Sequence, residues 1–334
     1  MLSVGILVIY SSSKELAIQQ GMFAVVGLLL YFFISQFDYS SLTNLIKPYY
    51  FFSIVLLIVV FFLGIETRGV LRWIPLGPIN IQPSEFAKPA LILFLAQFWS
   101  KRYPTGMNIL KSLAWSIPAI LLIFKQPDLG STITIAGIWA VMVFVSGISP
   151  KKLLIVCMSV LILVPLIWQT LVPYQKQRIA GFLSPESDPL GKGYNLIQSQ
   201  IAVGSGELTG RGLGRGTQSR LQFLPEFRTD FIFSAISEEM GFLGSFLILS
   251  IYISLVFFCL RIGGQTLDRF GYLIICGVSS MMLFQTLINV GMNIGIVPIT
   301  GITLPLISYG GSSLIATLLC LGLVSSVANF RRRV

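Results

Sequence analysis

The chain has 334 residues, of which 54% are hydrophobic and only 11% charged, with a mean hydropathy of +0.84. A water-soluble domain carries about 25% charged residues, so this composition excludes a soluble globular protein and describes an all-α polytopic membrane protein. The net charge of +10 is scattered over short loops, which speaks against a nucleic-acid surface and for contact with anionic membrane lipids.

Apolar runs near 20 residues recur along the chain, each long enough to cross about 30 Å of hydrocarbon. They predict spans at 16–36, 49–64, 85–99, 112–124, 131–147, 152–173, 242–260, 271–290 and 312–329. An apolar stretch over 1–12 would reach only about 18 Å as a helix, and it lacks the basic n-region of a cleavable signal. Counted as a partial span, it brings the total to ten in a single domain, 1–334. A large extracytoplasmic loop, at about 174–241, then separates spans seven and eight. Short loops on one side hold 11 Lys or Arg, among them Lys47, Lys101, Arg102 and Arg331–Arg333. The opposite short loops hold five: Lys14, Arg68, Arg72, Lys88 and Lys125. The positive-inside rule puts the richer set in the cytoplasm.

Cys157, Cys259, Cys276 and Cys320 fall inside apolar runs without metal-ligand spacing, as buried bystander thiols do. The chain contains no histidine, so acid–base chemistry falls to Asp, Glu, Lys or Tyr.

The outward connections are rich in polar and turn residues. The first runs from Arg68 through Arg72 to the block Ile81-Gln-Pro-Ser-Glu-Phe-Ala-Lys88. Pro83-Ser84-Glu85 reads as a helix start with Ser84 as cap, and Glu85 and Lys88 share a face one turn apart. They form either a routine i,i+3 ion pair or a functional pair inside a span, where ionisable groups are costly. The second, Lys125-Gln-Pro-Asp-Leu-Gly-Ser-Thr132, offers Asp128 as an Asx turn or as a cavity carboxylate. The long loop holds Gly204-Ser-Gly-Glu-Leu-Thr-Gly-Arg-Gly-Leu-Gly-Arg-Gly216. No Gly-Lys-Ser/Thr closes this run, so it is not a nucleotide loop. It reads as plain surface or as flexible backbone whose Arg211, Arg215 and Arg220 could meet a phosphate. The last connection, Asn289–Ser313, looks broken and re-entrant, which is tolerated at membrane depth only against protein or a cavity.

Leu224–Glu239, LPEFRTDFIFSAISEE, gathers four carboxylates in a chain with 13 acidic residues. Thr229 or Asp230 could simply cap a helix starting at Phe231. Alternatively, Phe231, Ile232 and Phe233 hold Asp230 against apolar surroundings, where desolvation raises a carboxylate's pKa and makes it a better base. Glu226, Glu238 and Glu239 could tune it or help to hold a divalent cation, Mg²⁺ or Mn²⁺; Asp230 and Glu226 are the metal-ligating candidates.

These blocks, with Asp188-Pro-Leu-Gly-Lys-Gly-Tyr-Asn-Leu-Ile-Gln-Ser199, Gly216-Thr-Gln-Ser219, Phe223-Leu-Pro-Glu226, Thr229-Asp-Phe-Ile-Phe233 and Leu304-Pro-Leu-Ile-Ser-Tyr-Gly-Gly-Ser312, occur in family order over nearly the whole chain. The chain resembles the SEDS family (shape, elongation, division and sporulation), the integral-membrane peptidoglycan glycosyltransferases, and within it the elongation branch. One departure is Arg228, where relatives commonly carry His. The resemblance implies ten spans in the bacterial plasma membrane, with an active site on the extracytoplasmic side. The implied reaction polymerises lipid II into glycan strands, with Asp230 as the essential aspartate and a class B penicillin-binding protein as partner. The resemblance maps Glu85, Lys88 and Asp128 onto the family's other charged cavity positions. Arg68, Arg72 and Arg215 join Lys88 as candidate cations for a departing diphosphate, and Glu226 and Ser308 complete the substrate-binding candidates. Two other classes, a lipid II flippase and a non-catalytic scaffold, are separated by charge placement. Alternating access needs polar groups at mid-membrane or on both faces, whereas these charges map to the outer side.

Overall fold

The structure is a computed structural model that describes residues 1–67, 70–77, 79–152, 154–155, 158, 165, 168–221 and 223–330. Arg68, Cys157, Arg331–Arg333, the side chain of Arg220 and much of the predicted span 152–173 lie outside the described residues. In chain order the helices are α1 (Leu2–Tyr10), α2 (Lys14–Ser35), α3 (Ile46–Leu63), α4 (Pro83–Ser100), α5 (Gly106–Lys125) and α6 (Leu129–Val145). They continue with α7 (Pro173–Leu183), α8 (Tyr194–Ser205), α9 (Thr217–Arg220), α10 (Ile232–Gly264), α11 (Arg269–Asn293) and α12 (Gly311–Phe330).

Among the described residues, α2, α3, α5, α10, α11 and α12 are long and apolar enough to cross a membrane. Large apolar side chains point outward from them, with Leu29 65%, Phe33 62% and Phe62 81% exposed. A surface of this kind is stable only against lipid; the chain is a multi-pass membrane protein.

The all-α expectation needs one correction. A small antiparallel sheet is formed by β1 (Ile65–Thr67), β2 (Val70–Leu76) and β3 (Ile79–Ile81), in the order β1-β2-β3. Its register pairs Ile65 with Trp73 and Ile74 with Ile81. The alternating, β-rich Val-Leu-Arg-Trp-Ile-Pro-Leu between turn residues carries that period-2 signal. A second correction concerns Ser84: α4 starts at Pro83 with Gln82 as N-cap. Proline's fixed φ and missing N–H suit the first helical position, which leaves Ser84 inside the helix and buried.

The chain clusters into two compact units. Unit 1 comprises Met1–Leu30, Gln177–Phe257 and Met282–Leu318. Its core joins Val8 and Ile9 of α1 to Leu224, Phe227, Phe231–Phe233, Ile236, Tyr252, Leu304 and Ile307. Unit 2 comprises Tyr31–Lys176, Phe258–Met281 and Leu319–Val334. At its heart is α4, buried around almost its whole circumference from Pro83 to Trp99, so charges on this helix sit in protein and not in lipid.

Candidate functional site

Asp230 stands two residues before α10, which starts at Ile232 and not at the expected Phe231. It is half-buried, while Phe231, Ile232 and Phe233 after it are buried at 3%, 0% and 4% exposure. The chain reaches it through a tight turn. The N–H groups of Thr229 and Phe231 both donate to the Glu226 carbonyl (3.1 and 3.2 Å). Thr229 Oγ1 donates to Glu226 Oε2 at 2.9 Å, so this carboxylate helps to close the turn.

Three consecutive main-chain carbonyls are then held from other elements. That of Arg228 accepts from the Tyr309 N–H (2.8 Å), and that of Thr229 accepts from Ser308 Oγ (2.6 Å). The Asp230 carbonyl accepts from Asn289 Nδ2 (2.9 Å) and Asn293 Nδ2 (3.0 Å). Ser308 in turn takes a hydrogen bond from the Leu304 N–H, and its carbonyl accepts from Gln20 Nε2. The predicted re-entrant stretch therefore lies as irregular backbone between α11 and α12, with Leu304, Ile307 and Ser308 buried. The polar groups of Leu304, Ser308 and Tyr309 named here bond to protein, as membrane depth requires.

The two asparagines were missed as site residues. Their signal was a pair of amides four residues apart in an apolar span, hence on one helix face. Asn293 also reaches α10, where its Oδ1 accepts from the Ser234 N–H (3.1 Å) and Oγ (2.5 Å). The first N–H groups of a helix have no intrahelical acceptor; here α11 supplies one.

Arg228, the departure from the family pattern, turns toward the end of α1. Its Nε donates to Ser12 Oγ (2.8 Å), Nη2 donates to the Ser12 carbonyl (3.3 Å), and its guanidinium lies 4.6 Å from the Phe227 ring centroid.

The glycine run is fastened, contrary to its flexible reading. Arg211 and Gly212 N–H groups donate to the carbonyls of Glu238 and Glu239, and Phe242 and Leu243 N–H groups donate to those of Glu207 and Leu208. This strand-like pairing fills the break in α10 at Gly241 (φ 66°). A Cβ on Gly241 would lie 2.3 Å from the Gly210 nitrogen, and one on Gly210 (φ 83°) 2.2 Å from the Glu239 carbonyl oxygen. Glu238 accepts from the Gln218 N–H and from Thr217 Oγ1, and Glu239 from Ser11 Oγ. Both acids thus secure this loop and the end of α1. Arg215 is exposed on the same loop.

Unit 2 carries its own polar cluster. Lys88 Nζ lies 2.7 Å from Glu85 Oε1, with both residues buried. Asp128 caps α6 through the Ser131 N–H (3.1 Å) and Oγ (2.9 Å), and Gln82 Nε2 stands 3.4 Å from its second oxygen. Arg72 of β2 donates to the carbonyls of Gln126 and Pro127. This ties the sheet to the Gln-Pro-Asp block. Among the described residues, no group of three or more His, Cys, Asp or Glu could hold a metal ion.

A family model described as cell cycle protein, FtsW/RodA/SpoVE, matches residues 2–333. The chain belongs to this family. It is 40% identical over 289 residues to the peptidoglycan glycosyltransferase MrdB of Escherichia coli K12, covering 85% of this chain and 78% of that protein. It is 37% identical over 351 aligned positions to the stage V sporulation protein E of Bacillus subtilis, covering 99% and 95%. Among solved structures, one on the structural coordination of polymerization and crosslinking by a peptidoglycan synthase complex superposes with a TM-score of 0.85. That chain is 33% identical, with 98% of this chain and 94% of that one covered. The Thermus thermophilus rod shape determining protein RodA superposes with a TM-score of 0.74 at 28% identity, covering 100% and 94%.

Proposed function

We propose that this family member is a peptidoglycan glycosyltransferase of the bacterial plasma membrane, polymerising lipid II on the extracytoplasmic side with Asp230 as general base. The ten-span topology and the external loop between spans seven and eight belong to this proposal. The observation that carries it is the capture of three successive carbonyls, Arg228, Thr229 and Asp230, by Tyr309, Ser308, Asn289 and Asn293. A carboxylate meant merely to cap a helix needs no such support, whereas a base must be held within hydrogen-bond reach of the proton it takes.

Asp230 accepts the proton of the acceptor GlcNAc 4-hydroxyl. The oxygen attacks the anomeric carbon of the donor MurNAc, the C–O bond to the diphosphate breaks with inversion, and undecaprenyl diphosphate leaves. Inverting transfer needs a base and charge stabilisation, with no covalent enzyme intermediate. In unit 1 the exposed Arg215 is the proposed cation for the diphosphate. Glu85, Lys88, Asp128 and Arg72 are, as a separate proposal, substrate-binding residues. The described residues hold no group of three or more His, Cys, Asp or Glu placed for a metal. Mg²⁺ or Mn²⁺ brought in on a diphosphate needs only one or two carboxylates, which Asp230 and Glu226 would offer, and no step above is routed through it. The proposed partner is a class B penicillin-binding protein, in keeping with the synthase complex that holds a similar chain.

A positioned base is worth about 10²–10⁴ in rate. Asp230→Asn should therefore lower polymerisation of labelled lipid II by that factor, assayed with and without the partner, while the melting temperature stays within a few degrees of wild type. Wild-type glycan ladders from Asp230→Asn would remove the base assignment. Absence of ladders from the wild-type protein in both conditions would favour transport or scaffolding.

A further inference from the structure

At the opposite end of α4 from Glu85 lies a cavity of about 370 Å³, lined by Lys47, Phe94, Gln97, Phe98, Lys101 and Arg102 among others. Phe94 and Phe98 are buried and make its wall, while the three cations are exposed around it. The Arg102 guanidinium carbon lies over the Phe98 ring, 4.2 Å from the centroid, a contact with the ring face that uses none of its N–H donors on an acceptor oxygen. Gln97 Nε2 donates to the Thr43 carbonyl (2.9 Å) and joins the turn before α3 to α4. Among the described residues, none of the three cations has an acidic partner. Two other basic groups of unit 2 are already engaged: Arg269 donates to the Ser146 carbonyl, and Lys152 to that of Pro104.

We infer that this cavity is a binding site for the headgroup of an anionic phospholipid. Lys47 opens α3 and Lys101 closes α4, so the cavity sits where these helices leave the hydrocarbon. Lys88 and Lys101 are 13 residues apart on one helix, about 20 Å at 1.5 Å per residue. The site therefore belongs to the leaflet opposite the Glu85–Lys88 end. Cations scattered by the insertion bias alone need no aromatic-walled cavity between them. A phosphodiester flanked by acyl chains needs both parts: several unpaired donors for the phosphate and an apolar wall continuous with the lipid. Basic pockets between helices at this level take such headgroups, and the volume lies in the range of small-molecule sites.

The test uses the full-length protein in detergent, with native mass spectrometry and melting curves in added phosphatidylglycerol, phosphatidylcholine or inorganic phosphate. Wild type should retain phosphatidylglycerol and melt higher with it than with either other addition. At about 1 kcal/mol per cation, each of Lys47→Gln, Lys101→Gln and Arg102→Gln should weaken retention about fivefold, and the triple variant about a hundredfold. Melting in phosphatidylcholine should be unchanged in each variant, which establishes that it folds. Lys111→Gln, another exposed cation of the basic set, should retain phosphatidylglycerol like wild type. Equal retention by the triple variant, equal loss in Lys111→Gln, or an equal melting shift from inorganic phosphate would each overturn the assignment.

Discussion

Removing the amides that hold Asp230 separates positioning from mere stability. Asn293 is fully buried, and so is Ser234, whose N–H it accepts. In Asn293→Ala that N–H loses its side-chain acceptor, at about 1–3 kcal/mol for a buried unsatisfied group, and a small cavity adds to the loss. The expected destabilisation is about 2–4 kcal/mol. The Asp230 carbonyl still keeps Asn289 as a donor, so the turn holds and polymerisation falls modestly. Asn289→Ala leaves Asn293 in the same way. The double variant leaves the Asp230 carbonyl with neither donor. Its loss of kcat should exceed the product of the single losses by about tenfold, corresponding to about 1–2 kcal/mol of coupling between residues sharing a partner, with KM little changed. The assay is lipid II turnover beside a melting curve in the same detergent. Losses of kcat that simply multiply, or a double variant that polymerises like wild type, would refute the positioning argument.

The buried Glu85–Lys88 pair gives a second cycle. Either Glu85→Gln or Lys88→Met alone strands one charge and should cost about 3–5 kcal/mol, while the double variant should recover most of it, read by melting. A double variant that also polymerises at wild-type rate would end the proposed substrate role of this pair. In the glycine run, Gly210→Ala and Gly241→Ala each force a side chain into left-handed backbone, at about 1–2 kcal/mol, and into main-chain atoms at 2.2–2.3 Å. Both should lose monodisperse folded protein on size exclusion. Gly204→Ala, where a Cβ would meet nothing within 4 Å, should behave like wild type; equal behaviour of all three would show that the loop is not clamped.

Much of the site was legible in the sequence because the signals were local. An i,i+3 spacing dictates the Glu85–Lys88 contact on any helix, and Asp128 followed by Leu-Gly-Ser caps the helix that it precedes. The sheet at 65–81 was passed over although its alternation was visible, because a short two-sided hairpin next to apolar spans is weak against helical periodicity. Asn289 and Asn293 were out of reach for a different reason. Their partners, Asp230 and Ser234, lie 59 to 63 residues away in sequence, and spacing says nothing about which helix a buried amide will face.

Composition and periodicity alone determined that this is a membrane protein of many helices, since no arrangement of 11% charged residues could cover it in water. The ordered motif blocks determined its family. Only the tertiary structure decided what Glu238, Glu239, Ser308 and the glycine run do, because each bonds to main-chain groups of another segment. A backbone carbonyl or N–H is the same in every residue, so a contact with one leaves no mark on the sequence of its partner.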